Sequence, residues 1–369
     1  MRTADGGHTW ATTRVTPEYG HAGDPFSGNM CNGGDPSVAY SARDRVFFLT
    51  QLCFFRGAAP SEVHVFASRD NGRTWTPGRQ AAIAATNFGP TLGGPNPSIF
   101  NDKEYITVDN TPTSPHYGRL YVTWTKFHMQ PNGFSDYCPI QLAYTDTVPL
   151  FNPRLTTFQH TAVAPDNPGG IGLGVSADQD SQPVVQANGP LQVSFSEEEC
   201  NTALDHHFHI TTSMAFMYQN NINRTTSGSD ISVQSSTNGG RTWSDARFVA
   251  VGPHGKPAAN DQFFSWVTSD PAGTFYAIWL DNRDDPGNKL IETWEGVSHD
   301  NGMTWANSKL STVAWNPNLG FFTSGAFIGD YMGVAAGPNV LYPVWVDGRN
   351  TAIASTGIGN TDIFTNVAP

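Results

Sequence analysis

An all-β propeller of five blades is what this 369-residue sequence predicts, on three observations. One turn motif occurs four times, strand-like runs precede it at regular intervals, and the two ends of the chain complement each other as parts of one repeat. The motif is Ser/Thr-x-Asp-x-Gly-x-Thr-Trp, at residues 3–10, 68–75, 236–243 and 298–305, with Asn238 replacing Asp in the third copy. Internal repeats of this size mark solenoids and propellers. Each motif position has a local reason. Asp or Asn closes a tight turn onto nearby backbone, Gly takes a left-handed conformation at little cost, and Thr-Trp restarts a strand with an indole available to cover an apolar edge.

The turn puts the rest of the chain in register. A four-stranded meander, the form of one blade, is predicted over residues 35–84, ahead of and through the motif at 68–75. A second is expected at 102–163, where the turn has decayed to Thr145-Asp146-Thr147. A third follows at 180–251 with a long insertion at 201–229, a fourth at 261–315 and a fifth at 330–367. The fifth lacks a last strand, whereas the chain opens on a turn motif and the strand-like stretch 12–16. Residues 1–16 are therefore expected to complete it, leaving no sheet edge open. The whole of 1–369 reads as one domain, and a sixth blade would have to come from the 201–229 insertion. With 37 Gly, 26 Pro and no sustained i, i+3, i+4 apolar pattern, no long amphipathic helix is expected.

Charge narrows the partners. A net charge of −12 argues against nucleic acid and anionic membrane surfaces. No apolar run approaches the roughly 20 residues of a bilayer span. The four cysteines, Cys31, Cys53, Cys138 and Cys200, are compatible with two disulfides or with buried thiols, and their spacing does not fix a connectivity. In the blade register all four fall on connections at one face. Cys31–Cys53 and Cys138–Cys200 are the pairs that would staple its rim, which fits a secreted or periplasmic setting. The cluster Asp205-His206-His207-Phe208-His209 reads as a solvated loop, since it lacks metal-ligand spacing.

The repeated Ser-x-Asp-x-Gly-x-Thr-Trp turns resemble the Asp-box (BNR) repeats of sialidases and related propellers. The stretches Asp261-Gln262-Phe263-Phe264, Trp279-Leu280-Asp281-Asn282-Arg283-Asp284-Asp285, Phe327-Ile328-Gly329-Asp330-Tyr331 and Trp345-Val346-Asp347-Gly348-Arg349 look like those of bacterial sialidase-like proteins. The resemblance implies a glycoside hydrolase that releases terminal acidic sugars from glycans and requires no cofactor. A non-catalytic glycan-binding or structural propeller is the alternative. The family's Phe/Tyr-Arg-Ile-Pro motif is absent, Phe55-Arg56-Gly57 being the nearest match.

In a propeller the first strands begin, and the second strands end, on the same face, so a ligand pocket belongs there. The first-strand starts give a column of Asp35, Asp102, Asp180, Asp261 and Asp330. The second-strand ends give Leu52, Lys126, Glu197, Asp281 and Asp347. Two residues on, along the same strand face, lie Phe54, His128, Glu199, Arg283 and Arg349. An Asp in every blade is read as architectural, and clustered carboxylates also suit a structural Ca²⁺ in the central channel. Residues that break the symmetry are the candidates for chemistry. The resemblance casts Tyr331 as nucleophile, Glu197 or Glu199 as the group drawing its proton, and Asp35 as acid/base. Arg56, Arg283 and Arg349 would grip a substrate carboxylate, which the guanidinium fork matches. Lys126, His128, Asp281 and Asp347 complete the substrate-binding set. Against the clamp, Trp-x-Asp-x-Arg occurs in two blades, and its Asp and Arg could pair with each other.

Overall fold

The computed structural model describes the chain apart from residues 21–25, 27, 57, 90–92, 130, 132–134, 165–174, 188–189, 201–228, 318–320, 323–324, 327, 339, 350–360 and 367–369. At 135–137, 164, 175–179, 196–200, 321–322 and 325–326 it describes backbone only.

The chain is all-β and built of propeller blades. The first sheet is a meander of β1 (Ser37–Ser41), β2 (Val46–Phe54), β3 (Ser61–Ser68) and β4 (Ala82–Thr86). The second runs β5 (Ile99–Val108), β6 (Leu120–Met129), β8 (Ile140–Thr145) and β9 (Gln159–Ala164), with the short β7 (Ser135–Tyr137) paired to β6. The third is β10 (Val175–Val185), β11 (Leu191–Cys200), β12 (Ser229–Ser236) and β13 (Arg247–Phe248). The fourth is β14 (Gln262–Ser269), β15 (Phe275–Asp281), β16 (Glu292–Ser298) and β17 (Ala306–Lys309). After a two-stranded ribbon, β18 (Phe321–Phe322) and β19 (Gly325–Ala326), the last sheet is β20 (Gly333–Gly337), β21 (Val340–Asp347) and β22 (Asp362–Thr365). These sheets fall within a few residues of the blades expected from the turn register.

One expectation about closure needs correcting. Residues 12–16 form no strand. They run instead beside the first sheet, where Thr13 Oγ1 donates to Arg73 O at 3.4 Å and the Thr16 carbonyl lies against Gly78. The last sheet has three strands among the described residues.

The chain divides into two compact units. One holds residues 1–165, 181–191 and 236–242; the other holds 166–180, 192–235 and 243–369. In the first, Phe48, Val63, Val65, Val122, Trp124 and Ala143 form the core; in the second, Phe263, Ile278, Leu280, Trp315, Leu341 and Trp345 do. Every residue of β3 is buried, as befits a strand covered on both faces.

The turn motif is more tightly bonded than a simple Asx turn. The Asp70 carboxylate accepts from Thr74 N at 2.8 Å and Thr74 Oγ1 at 2.7 Å, while Ser68 Oγ accepts from Gly72 N at 2.8 Å. Asn71 and Gly72 both have positive φ, 58° and 76°, which is why Asn-Gly sits there. Those bonds, led by the Thr74 N–H, hold the Asp70 carboxyl down at about 2. The same pattern recurs at Asp5 and Asp300, and with Asn238.

The decayed second turn is held differently. Arg119, which is buried, forks onto Asp146 through Nε at 2.7 Å and Nη2 at 2.8 Å, donates Nη1 to Gly239 O at 3.0 Å, and lies 4.8 Å from the Tyr144 ring centroid. One arginine thus supplies the cross-bonds that the missing Gly and Trp would have organised. Replacing Arg119 by Ala is expected to cost about 2 kcal/mol, because a charge-assisted fork and a buried stack are lost together. Equilibrium denaturation would read this as a lower midpoint at unchanged slope.

Candidate active site

Within the first unit, β1 and β5 are neighbouring first strands, tied where Ile106 N donates to Ser37 Oγ at 3.3 Å. Both strands are bulged at their charged end. Asp35 has φ 50° and interrupts the pairing between Ser37↔Thr50 and the Leu52 N–H, which donates to Gly34 O at 3.1 Å. In β5 the register with β6 shifts between Asp102 and Tyr105, and Lys103 has φ 55°. Bulges of this kind re-aim side chains, often beside active sites. Here they bring Asp35, Asp102 and Glu104 together.

The Asp35 carboxyl is a neighbour of the Asp102 carboxyl, and its charge bears on it. A carboxylate charge that close disfavours ionisation of its neighbour. Burial first, and the Asp35 charge second, push Asp102 up to about 7, against the pull of the Lys103 ammonium and of the Lys103 N–H that donates to Oδ1 at 2.9 Å. Glu104 lies beside the pair, 2% exposed, with the backbone N–H groups of Glu104 and Leu52 near its carboxyl. Burial, then the charges of Asp35 and Asp102, raise it well above the usual carboxylate range.

Apolar and cationic groups adjoin this pair. Phe54 and Phe100, both half-buried, meet edge-to-face at 5.9 Å, and Phe100 precedes Asp102 by two residues, on the same strand face. Phe54 also approaches Gly34, which precedes Asp35. The Arg56 guanidinium is exposed and sits 6.0 Å from the Phe54 centroid. A carboxyl acid, two aromatic walls and a cation are thereby arranged in one region.

The other expected site residues fare differently. Arg283 and Arg349 do not form the expected clamp. Arg283 bonds Asp281 through Nε at 2.8 Å, donates Nη1 to Val251 O at 3.1 Å, and lies 4.0 Å from the Trp294 centroid. Arg349 forks onto Asp347 at 2.9 and 2.5 Å, reaches Thr312 Oγ1 at 3.0 Å and covers Phe364 at 4.3 Å. Trp279 and Trp345 donate their indole N–H groups to the same aspartates, at 2.6 and 3.4 Å. Trp-x-Asp-x-Arg is therefore a lock within the blade: alternation puts all three side chains on one face, and Asp281 and Asp347 are buried by it.

Lys126 and His128 pair directly opposite Asn101 and Ile99, whereas Asp102 pairs with Thr125. They occupy the alternate strand face and are not brought to the acid pair. Tyr331, in the second unit, is 41% exposed and meets Trp266 edge-to-face at 5.7 Å. Glu197 and Glu199 are on β11, with side chains outside the described residues. The 205–209 cluster is also outside them.

The Asp column is not uniform. Asp261 is architectural: it is buried and exchanges bonds with Asn288, at 2.6 and 3.2 Å. Asp35 and Asp102 instead meet each other. Sequence reasoning placed Asp102 in the column as a structural residue and missed Glu104. The signal was available in Asp102-Lys103-Glu104, three charged residues running consecutively through a strand whose ends are apolar.

Cys31 and Cys53 form a disulfide with Cα atoms 5.3 Å apart, as one of the expected pairings has it. Cys138 is buried, and Cys200, its expected partner, has a side chain outside the described residues. Among the described residues the sole trio of metal-ligating groups within 4.8 Å of one another is Cys53, Glu62 and His64. Among the described residues no helix is long and apolar enough to cross a membrane.

No protein-family model matches the chain, and a search of curated proteins gives no match. Solved structures do match. A protein of unknown function from Dyadobacter fermentans superposes with a TM-score of 0.51 at 13% identity, covering 96% of this chain and 81% of that one. An α-L-arabinofuranosidase from Fusarium graminearum gives 0.49 at 10% identity, over 84% and 77% of the two chains. A Hadza microbial sialidase gives 0.49 at 12%, over 93% of this chain and 55% of its own. At these identities the likeness concerns the fold.

Proposed function

We propose that the chain is a glycoside hydrolase whose proton donor is Asp102, kept in its acid form by burial and by the Asp35 carboxylate. Water adds to the sugar carbon as the glycosidic bond breaks, and the proton it gives up restores Asp102. The observation that carries this is the burial of Asp102 beside Asp35, which makes Asp102 a weaker acid than usual. Cleaving a glycosidic bond at neutral pH requires a carboxylic acid still protonated there, to deliver a proton to the departing oxygen. An ordinary Asp is ionised by then; burial and a neighbouring charge keep Asp102 in its acid form. After transfer, the negative charge on Asp102 is disfavoured by the same surroundings, so it recovers a proton readily. Glu104, buried beside the pair, favours the acid form of Asp102, since a carboxylate there would have to share a low-dielectric setting with other acids. Phe54 and Phe100 offer apolar ring faces of the kind that stack on sugars, and Arg56 offers the one guanidinium of the expected three that is exposed.

Terminal acidic sugars remain one substrate class for this site, with Arg56 as the group that would meet a carboxylate. A panel of chromogenic glycosides, including arabinofuranosides and a sialoside, tests the reading. Turnover of at least one, falling as pH rises through about 7 where Asp102 loses its proton, is the expected result. No turnover across the panel would leave glycan binding in its place. A sialoside preference that Arg56→Ala abolishes would identify the acidic-sugar class.

A further inference from the structure

A second cluster of reactive side chains lies on β2 and β3, apart from the acid pair. Cys53 pairs directly opposite Glu62 in the sheet register, and His64, opposite Gln51, follows Glu62 by two residues on the same face. The Cys53 sulfur, a Glu62 oxygen and a His64 nitrogen all lie within 4.8 Å of one another, and all three residues are 0% exposed. Glu62 Oε2 and His64 Nε2 are 2.8 Å apart. The surroundings are underbonded: His64 Nδ1 and Gln51 Nε2 are buried without hydrogen-bond partners. Such groups are costly in a folded chain and call for a reason.

We propose that Cys53, Glu62 and His64 form a thiol-dependent site for a zinc-class divalent cation, masked while the Cys31–Cys53 disulfide is intact. One sulfur, one imidazole nitrogen and one carboxylate oxygen make a donor set suited to Zn²⁺ and unsuited to Ca²⁺ or Mg²⁺, which take oxygen ligands. Opening the site requires two electrons and two protons from a dithiol. Its sulfurs close into a disulfide as the Cys31–Cys53 bond breaks to two thiols. The ion then takes Cys53 as thiolate, releasing that proton to water, and binds the Glu62 carboxylate and neutral His64 through Nε2, the proton of their mutual hydrogen bond passing to the unpartnered Nδ1. A fourth position is left for water.

The disulfide masks the site in two ways: it occupies the sulfur and pins the cover. Cys31 N donates to Pro17 O at 3.2 Å and Gly20 N donates to Glu62 Oε2 at 3.3 Å, so the backbone at Gly20 lies against the carboxylate and that at Pro17 is tied to Cys31. The Arg154 guanidinium, lying against Gly20 and attracted by Glu62, opposes a cation. The negative charge of a Cys53 thiolate offsets it, and that charge exists only after reduction.

The test uses the full chain, oxidised and dithiol-reduced, equilibrated with Zn²⁺ after removal of the reductant, with bound metal per chain read by mass spectrometry. One ion is expected in the reduced chain and in Cys31→Ser, whose Cys53 cannot be masked, and none at this site in the oxidised chain. Co²⁺ in place of Zn²⁺ should show a thiolate-to-cobalt charge-transfer band. His64→Ala in the Cys31→Ser background should weaken binding about 100-fold or more. Reduced Cys53→Ser should show neither ion nor band. Equal metal in oxidised and reduced chains, or thiol-dependent binding that survives Cys53→Ser or His64→Ala, would overturn the proposal. Should Cys31→Ser fail to fold, the reduced native chain decides alone. None of these readouts depends on glycoside hydrolysis.

Discussion

Replacing Asp102 by Asn is expected to lower glycoside hydrolysis by about 10²–10⁴-fold while leaving the chain folded and, at neutral pH, more stable. The two effects have one origin. Asp102 is held up to about 7 against an ordinary 3.8, by burial and then by Asp35. The folded state therefore binds the Asp102 proton more tightly than the unfolded state does. The stability linked to that proton is fully present below about pH 4 and is lost as pH rises towards 7, with a ceiling of about 4 kcal/mol for three pH units. Asparagine cannot ionise, so the variant should lose this part of the pH dependence. Melting curves from pH 4 to 8 would show the native chain falling more steeply than Asp102→Asn. Glu104, raised by the same causes, adds a residual slope of the same sign to both. A variant that was equally inactive but less stable at pH 7 would point to a structural role instead.

Arg283→Ala should be among the most destabilising single changes, at about 3–5 kcal/mol, because it leaves the Asp281 carboxylate buried without its counter-ion. Burial already pushes Asp281 upward against the restraining bonds of Arg283 and Trp279. Without Arg283 its folded-state value rises further. The loss should accordingly be larger at pH 7 than at pH 5, where protonation relieves the uncompensated charge. Denaturant titrations at the two pH values would separate this from a simple packing loss, which is indifferent to pH. Arg283→Lys should recover part of the stability only, since lysine has no fork to match the carboxylate and no plane to lie on Trp294. Were Arg283 a substrate clamp, the same variant would raise KM and leave stability nearly unchanged.

The fold was legible because its signals are local. Four Asp-Gly-Thr-Trp turns bond within themselves, so each declares a hairpin wherever it occurs. The strand-like runs between them then follow from their regular spacing to the turns. The decayed turn at Asp146 was not legible in its detail, since the arginine that replaces the motif's bonds, Arg119, is distant in sequence and near only after folding. The same limit applied to residues 12–16, whose strand-like composition is used for packing beside Arg73 and Gly78.

For the site, the first-strand column contained Asp35 and Asp102 but did not show that they meet. Asp35 and Asp102 meet because two inner strands bulge at residues with positive φ, and a bulge has no signature when the residue is Asp or Lys rather than Gly. Arg283 and Arg349 showed the converse. Their spacing from Asp281 and Asp347 already contained the self-pairing, and the period of two along a strand was sufficient to see it.

The acid pair is the centre of this account, and its titration can be followed directly by carbon NMR of the Asp side-chain carboxyls, assigned by Asp102→Asn. Asp102 should titrate near 7 in the native chain and move down towards the ordinary carboxylate range in Asp35→Asn, where the neighbouring charge is gone. An Asp102 that titrates near 4 in both chains would contradict the effect of burial and of the Asp35 charge and, with it, the assignment of Asp102 as the donor.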